Sequence, residues 1–456
     1  MKKTLVIMLA LFLAIPAISY AGSATSRWDL TIGGDVKFDT GWSDQAGVFG
    51  NDLWTPGVPM RNAQSGTAGV PWDRGVFLWG GGETGLNFFV KGPDAWGAKT
   101  HAIIVADFTG VWGSGGFLAG NSTASSGINY NTLDLLVAEI GFDWANTSVT
   151  AGINGSWFGD LFTWTNQLAW GTINYGNKGA APVAPQITVT ERFDKNWSVG
   201  FGVMSNYNQI DYYNAPGYTV AATALNLAPG TANLNPLPMV EGKVAYSSDA
   251  CGKVGPWSLL FEVDGAYGRV RNTYDYVPGV SLYTKDVPEW LADFKFLIPI
   301  IPERNGNKAG ALYADAMVFL TQGMGQGGSW LGFGGGAPWV DGDYQRPADP
   351  TDWAAPVGWG FTAHADFYLS DAVSFNLFYD YFSVDASQYQ MVANNGAFNG
   401  VNSGYQWIAT LLYDVNPAVR LGWQWDYTNV RYPVPLPGFK GNGSTNDYRF
   451  SVYYFF

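Results

Sequence analysis

Apolar and polar residues alternate with a period of two along most of this chain, the pattern of strands whose two faces meet different surroundings. Near the start, Trp28, Leu30, Ile32, Val36 and Phe38 share one face, and Asp29, Thr31, Asp35, Lys37 and Asp39 share the other. Val373, Phe375, Leu377, Tyr379 and Tyr381 stand against Ser374, Asn376 and Asp380 in the same way. Val419, Leu421, Trp423, Trp425 and Tyr427 stand against Arg420, Gly422, Gln424, Asp426 and Thr428. In the last residues, Tyr448, Phe450, Val452, Tyr454 and Phe456 alternate with Asp447, Arg449, Ser451, Tyr453 and Phe455. Short clusters of Asp, Asn, Gly and Pro punctuate the pattern, for the φ/ψ reasons that make these residues turn formers. They fall at Pro93–Gly97, Asp143–Asn146, Asp194–Asn196, Asp249–Gly255, Glu303–Asn307, Ser370-Asp371 and Asn416-Pro417. Longer Gly- and Pro-rich segments alternate with them, at about 41–82, 110–131, 155–186, 207–238, 270–288, 322–356, 384–404 and 429–446. Seven short turns and eight long loops join about sixteen strands and put both ends of the chain on the short-turn side.

Composition decides which face looks outward. Aromatics make up 16% of the chain and charged residues 13%, against about 25% charged in an average soluble protein. Too few charges remain to coat a globule, and Trp and Tyr are favoured where hydrocarbon meets headgroups. After the N-terminal segment no run of about 18 apolar residues exists to form a spanning helix. In lipid every backbone N–H and C=O must be paired internally, which leaves the closed barrel. The expected fold class is therefore all-β: an antiparallel transmembrane β-barrel of about sixteen strands, with short periplasmic turns and long extracellular loops. A barrel of that size encloses an aqueous channel rather than a core of side chains.

The N-terminus supplies the compartment. Met1-Lys2-Lys3, the apolar run Thr4 to Ile18 and Ser19-Tyr20-Ala21 have the order of a cleavable export signal. The reading divides the chain into a signal peptide at 1–21 and a barrel domain at 22–456, in the bacterial outer membrane. A terminal Phe456 preceded by aromatics at every second position resembles the C-terminal signature of bacterial outer-membrane proteins, which their insertion machinery reads. Tyr448, Phe450, Val452, Tyr454 and Phe456 are the residues that carry it.

Charge and chemistry narrow the function. The formal charge is −13, or −15 once Lys2 and Lys3 leave with the signal, which argues against nucleic acid as a partner. Only one cysteine is present, Cys251, so no intrachain disulfide or Cys-rich metal site forms. By the alternation, Lys37, Arg192, Lys243, Lys295, Arg420 and Arg449 face inward, as do Asp35, Glu241, Glu262, Asp264, Asp293, Asp315, Asp366, Asp380 and Asp426. Such charges set the selectivity of a channel. The segment at 155–186 carries Trp157, Phe158, Phe162 and Trp164, too apolar to hang in water. It is expected to fold into the lumen and place Asp160 in the narrow zone, facing the basic wall residues.

Catalysis and cofactors are not indicated. His101 and His364 are the two histidines and lack the nucleophile partners or close spacing of a hydrolase or metal site. The glycines between Gly323 and Gly336 lack the Lys-Ser/Thr ending of a phosphate loop.

The segment Glu83-Thr84-Gly85-Leu86-Asn87-Phe88-Phe89-Val90-Lys91-Gly92-Pro93, followed by Gly97-Ala98-Lys99-Thr100 and closing on Asp107-Phe108-Thr109-Gly110, resembles the DcaP-like family of trimeric porins. There a V-K-G-P hairpin is followed by G-x-K-T and a strand ending in D-F. Gly152-Ile153-Asn154-Gly155-Ser156-Trp157 sits where that family carries its turn into a constriction loop. The resemblance spans about residues 83–160. Two departures stand out: Asn131-Thr132-Leu133-Asp134 lacks the arginines of the pattern, and Val105 replaces a common acid. It implies a homotrimeric sixteen-stranded porin for passive diffusion of small hydrophilic solutes, dicarboxylates among them. The alternative is a barrel scaffold or sheath that holds or displays a partner protein, for which the chain offers no plug domain. N-terminal sequencing of the mature protein is expected to begin near Gly22; retention of Met1 in the inner membrane would refute the export reading.

Overall fold

The structure, a computed structural model, describes residues 28–44, 75–81, 84–108, 134–159, 161–162, 168, 183–205, 237–277, 281–322, 344–346, 349–353, 357–385, 390–391, 403–431 and 438–456. The expected signal segment at 1–21 and the glycine cluster from Gly323 to Gly336 lie outside these residues. The strands are β1 (Asp29–Ser43), β2 (Val76–Gly80), β3 (Gly85–Lys91), β4 (Lys99–Asp107), β5 (Asp134–Asp143), β6 (Thr147–Gly155) and β7 (Val183–Arg192). They continue with β8 (Trp197–Met204), β9 (Met239–Ser248), β10 (Leu259–Val277), β11 (Ser281–Ile301), β12 (Leu312–Gln322), β13 (Tyr344–Arg346) and β14 (Asp349–Trp353). The last are β15 (Val357–Tyr368), β16 (Val373–Asp385), β17 (Gln390–Met391), β18 (Ser403–Asn416), β19 (Val419–Arg431) and β20 (Asn442–Phe455). A 3-10 turn, Asp249–Cys251, holds the single cysteine.

Seventeen of these strands form one antiparallel sheet. β2 and β3 both pair with β1, at Ser43–Asp39 and Asp35–Asp29 respectively, so they are two lengths of one wall strand. The wall therefore has sixteen places. β1 also pairs with β20, from Asp35↔Phe455 to Ser43↔Asp447, and this closes the barrel. β13, β14 and β17 form a separate small sheet that ties the β12–β15 connection to the β16–β18 connection.

Every one of the seven short turns joins two neighbouring wall strands. Two of them show why these residues are there. Ala95 and Ala98 pair across Trp96 (φ 52°) and Gly97 (φ 79°), and Arg304 and Asn307 pair across Asn305 (φ 55°) and Gly306 (φ 79°). Two consecutive positive φ values make the tight turn whose twist matches the flanking strands. In the β7–β8 turn the Asp194 carboxyl accepts from the backbone N–H of Asn196 and Trp197, which holds its pKa below the usual value. Two of the expected long loops are corrected, and the one at 41–82 contains the wall strand β2. Instead of a loop at 270–288, β10 and β11 continue as a paired hairpin through Val277 and from Ser281. Beyond Tyr267 and Trp290 the two strands pair with each other alone, so the hairpin extends past the neighbouring strands β9 and β12.

The two faces of the wall differ as the alternation requires. On β19, Trp423 and Trp425 are 42% and 36% exposed, whereas Gln424 and Asp426 are 3% and 0% exposed. Outward aromatic rings contact across strands, as in Trp197–Tyr246–Phe261–Phe294 over β8 to β11, with centroids 4.9–6.5 Å apart. Such cross-strand pairs contribute about 0.2–1 kcal/mol each. Inward, one row runs Phe319, Gly360, Phe382, Gly404, Val430 across β12 to β19. Each bulky side chain lies in the space that a neighbouring glycine leaves.

The seam depends on the last residue as well as the last strand. Gly34 N–H donates to the Phe456 carbonyl and Phe456 N–H to the Gly34 carbonyl, both at 3.1 Å. Deleting Phe456 is expected to lower the yield of heat-modifiable barrel more than deleting several residues from the connection at 386–402 does. Equal yields would show that the seam closes without it.

Candidate pore constriction

The connection that follows β6 turns inward rather than away from the barrel. Its first residues are apolar, and the wall beside them offers a socket. Phe158 is fully buried with Ala184, Met204, Met239, Ala266 and Leu291, one residue from each of β7 to β11. Burying a phenylalanine stabilises by about 1.5–3 kcal/mol. Phe162 reaches down to a second apolar cluster at the short-turn end, formed by Val254, Leu297, Ala311 and Tyr313.

A segment of irregular backbone inside a barrel needs partners for its amides and carbonyls, and inward-facing charged side chains provide them. Trp157 N–H donates to Glu241 Oε2 at 3.1 Å, and Gly159 N–H donates to Asp293 Oδ2 at 2.7 Å. Lys295 Nζ donates to the Trp157 carbonyl at 2.6 Å and pairs with Glu262 at 2.7 Å and Asp264 at 2.8 Å. Its three protons are thereby accounted for. Lys243 lies 4.6 Å from the Trp157 ring centroid and 3.7 Å from Glu262. Gln186 on β7 steadies the exit of β6 by donating to the Asn154 and Gly155 carbonyls.

The segment is held a second time, at Leu168. Leu168 N–H donates to Gln424 Oε1 on β19 at 2.6 Å, and its carbonyl accepts from Lys37 Nζ on β1. Its side chain occupies the space over Gly422. β19 and β1 flank β20, and β20 stands eight places from β9 on the ring of sixteen. The two anchored ends, 157–162 and Leu168, therefore lie on opposite walls; together they are called the strap, and 163–167 between them lie outside the described residues.

The residues expected at the constriction separate into groups. Asp160 lies outside the described residues, between Gly159 and Leu161, both of which are buried. Lys37 and Lys295 are buried and hold the two ends of the strap, and Lys243 packs beside the first end. Arg449 is buried and bonded to Asp426 at 3.2 Å. Arg420 is tied to Asp414, its Nη2 at 3.1 Å, at the short-turn end of β19. Arg192 is exposed beside the β7–β8 turn, away from the strap. His364 pairs with Asp315 at 2.6 Å and stacks on Phe378, and His101 pairs with Asp143 at 3.1 Å. Tyr448, Tyr454 and Phe456 are outward and exposed, with Phe450 and Val452 half-buried on the same face. Leu168, Gly422 and Gln424 were not singled out from the sequence. Gln424 and Gly422 fall on the inward phase, but nothing local marks Leu168.

No protein-family model matches the chain, and comparison with curated proteins finds no match. Among solved structures, the outer membrane channel DcaP of Acinetobacter baumannii aligns over 95% of this chain and 99% of its own, at a TM-score of 0.59 and 12% identity. An anion-selective porin from Comamonas acidovorans aligns over 94% of this chain and 100% of its own, at 0.49 and 10% identity. Salmonella typhi OmpF in complex with daunomycin aligns over 94% and 97%, at 0.48 and 13% identity. The fold is that of a porin-type outer-membrane β-barrel. It resembles DcaP over the whole described barrel, beyond the stretch at 83–160 that carries the motif resemblance.

Gly422→Val tests the second anchor. A Cβ at Gly422 overlaps the Leu168 side chain, so the strap is expected to leave that wall while the barrel stays heat-modifiable. Single-channel conductance should rise and become noisier; wild-type traces would show that Leu168 is not held across the lumen.

Proposed function

We propose that this chain is an outer-membrane channel for passive diffusion of small hydrophilic solutes. The observation that carries the reading is the strap held at Glu241, Asp293 and Lys295 on one wall and at Lys37 and Gln424 on the other. A sixteen-place barrel is wide enough for water, and a crossing segment narrows such a bore to the size of small solutes. Partners follow from the same reading: membrane lipid around the aromatic outer face, the insertion machinery for the terminal strand, and two further copies in a homotrimer. Dicarboxylates, the solutes that the family resemblance implies, need basic groups facing the bore. Lys37, Lys295 and Arg449 are each engaged by loop carbonyls or carboxylates, so the supported class is small hydrophilic solutes in general.

Refolded protein in a planar bilayer is expected to give stepwise, ohmic current increments with each insertion. Heat-modifiable barrels that insert and pass no current would overturn the channel reading.

A further inference from the structure

Resting on the reading of the chain as a diffusion channel, we propose that its water path is off-centre and runs along the inner face of β3 to β6. Asn87, Phe89, His101, Val105 and Thr150 are then side chains that a passing solute touches. The two sides of the wall differ in how far water reaches their inward positions. On β12, β15, β16, β18 and β19 the inward positions from Tyr313 to Thr321, Gly358 to Asp366, Ser374 to Phe382, Gly404 to Leu412 and Gly422 to Val430 are all buried. Water does not reach them over that height, so neither does a hydrophilic solute. On β3, β4 and β6 the inward positions from Gly85 to Lys91, Lys99 to Val105 and Ser148 to Asn154 are all half-buried or exposed. Their common inward phase follows from the pairs Asn87↔Val105, His101↔Gly141 and Gly141↔Thr150. The open positions run the height of this wall, from Lys91 and Ser148 near the short turns to Val105 and Asn154 toward the long loops.

The second observation is where the strap rests. Phe158 packs against β7 to β11, and Leu168 reaches β19 and β1. The strap thus fills the lumen beside those strands, and the open lane lies beside β3 to β6. On β5, Glu139 and Gly141 are buried beneath the lane's own side chains. Asn154 Nδ2 donates to Glu139 Oε2 at 2.6 Å, and the His101 ring occupies the space that Gly141 leaves. His101 is held against that wall by Phe89, with ring centroids 5.9 Å apart, and by Asp143, 3.1 Å from its Nδ1. Pore width and lining groups set what a channel passes, so the glycine at 141 keeps an imidazole out of the narrow lane.

The test is thiol labelling of single-cysteine variants of the full barrel in a Cys251→Ser background. A small quaternary-ammonium methanethiosulfonate is added to channels in a planar bilayer. Val105→Cys and Thr150→Cys are expected to react about tenfold faster or more than Thr362→Cys and Thr428→Cys, at two buried inward positions. Each reaction in the lane should remove part of the single-channel current in one step. Equal rates at the four positions, or a faster loss of current at Thr362→Cys and Thr428→Cys, would overturn the inference while leaving the channel reading intact. Inserted barrels without current would overturn the channel reading, and labelling of refolded barrels, read by mass, would still show which wall water reaches. If Val105→Cys or Thr150→Cys fails to fold, Asn87→Cys and Ser148→Cys decide in the same way. Gly141→Ala pushes the His101 ring toward the lane and is expected to lower the conductance; wild-type conductance in that variant would take His101 out of the path.

Discussion

The structure depends on one constraint: backbone groups that face hydrocarbon must find their partners within the chain. An unpaired amide or carbonyl there costs several kcal/mol, and a sheet with two open edges has a row of them on each. The pairing of β1 with β20 removes both edges at once. Gly34 and Phe456 extend the same ladder to the final residue. Once the ring is closed, side chains are released from the task of hiding the backbone. The outer face is then free to be apolar and aromatic, and the inner face to be polar.

The same constraint acts inside the lumen, with different partners. The chain after β6 leaves the sheet and loses its ladder, so its amides and carbonyls are taken up by side chains from the wall. Glu241 and Asp293 accept from two amides, while Lys295 and Lys37 donate to two carbonyls. The inward face is therefore a scaffold for the crossing segment as well as a lining for water. Two apolar sites, the socket around Phe158 and the gap over Gly422, fix where the charged contacts are made.

Much of this is legible in the sequence because a period of two is read from neighbours alone. The wall strands and all seven short turns follow from alternation and from local turn chemistry, such as Asn305-Gly306. The segment at 270–288 misleads for a physical reason. Turn-forming residues such as Pro278-Gly279 and the polar run before them read as a loop, yet the backbone of β10 and β11 pairs on both sides of that turn. β2 is hidden similarly, because its glycine-rich break before β3 resembles the end of a loop. The inward course of the strap was foreseeable from Trp157, Phe158 and Phe162. Its far anchor was not, since Leu168 meets Gln424 and Lys37 only after the barrel has closed, across 256 and 131 residues of chain.

Reading lysines as free pore charges fails for a related reason. Alternation gives the direction of a side chain but not its partner, and a buried ammonium takes as many acceptors as geometry allows. Lys295 is satisfied by one carbonyl and two carboxylates, and Lys37 by one carbonyl and one carboxylate. The strap's position and the charge beside it are in consequence coupled through the same atoms. Replacing either lysine with a neutral residue removes an anchor and a positive charge at the same place. A variant with altered selectivity at these positions cannot be interpreted from charge alone, because the bore has changed as well. Wall acids that hold no part of the strap, such as Asp447 beside Thr445 on β20, separate the field of the lumen from the position of its constriction.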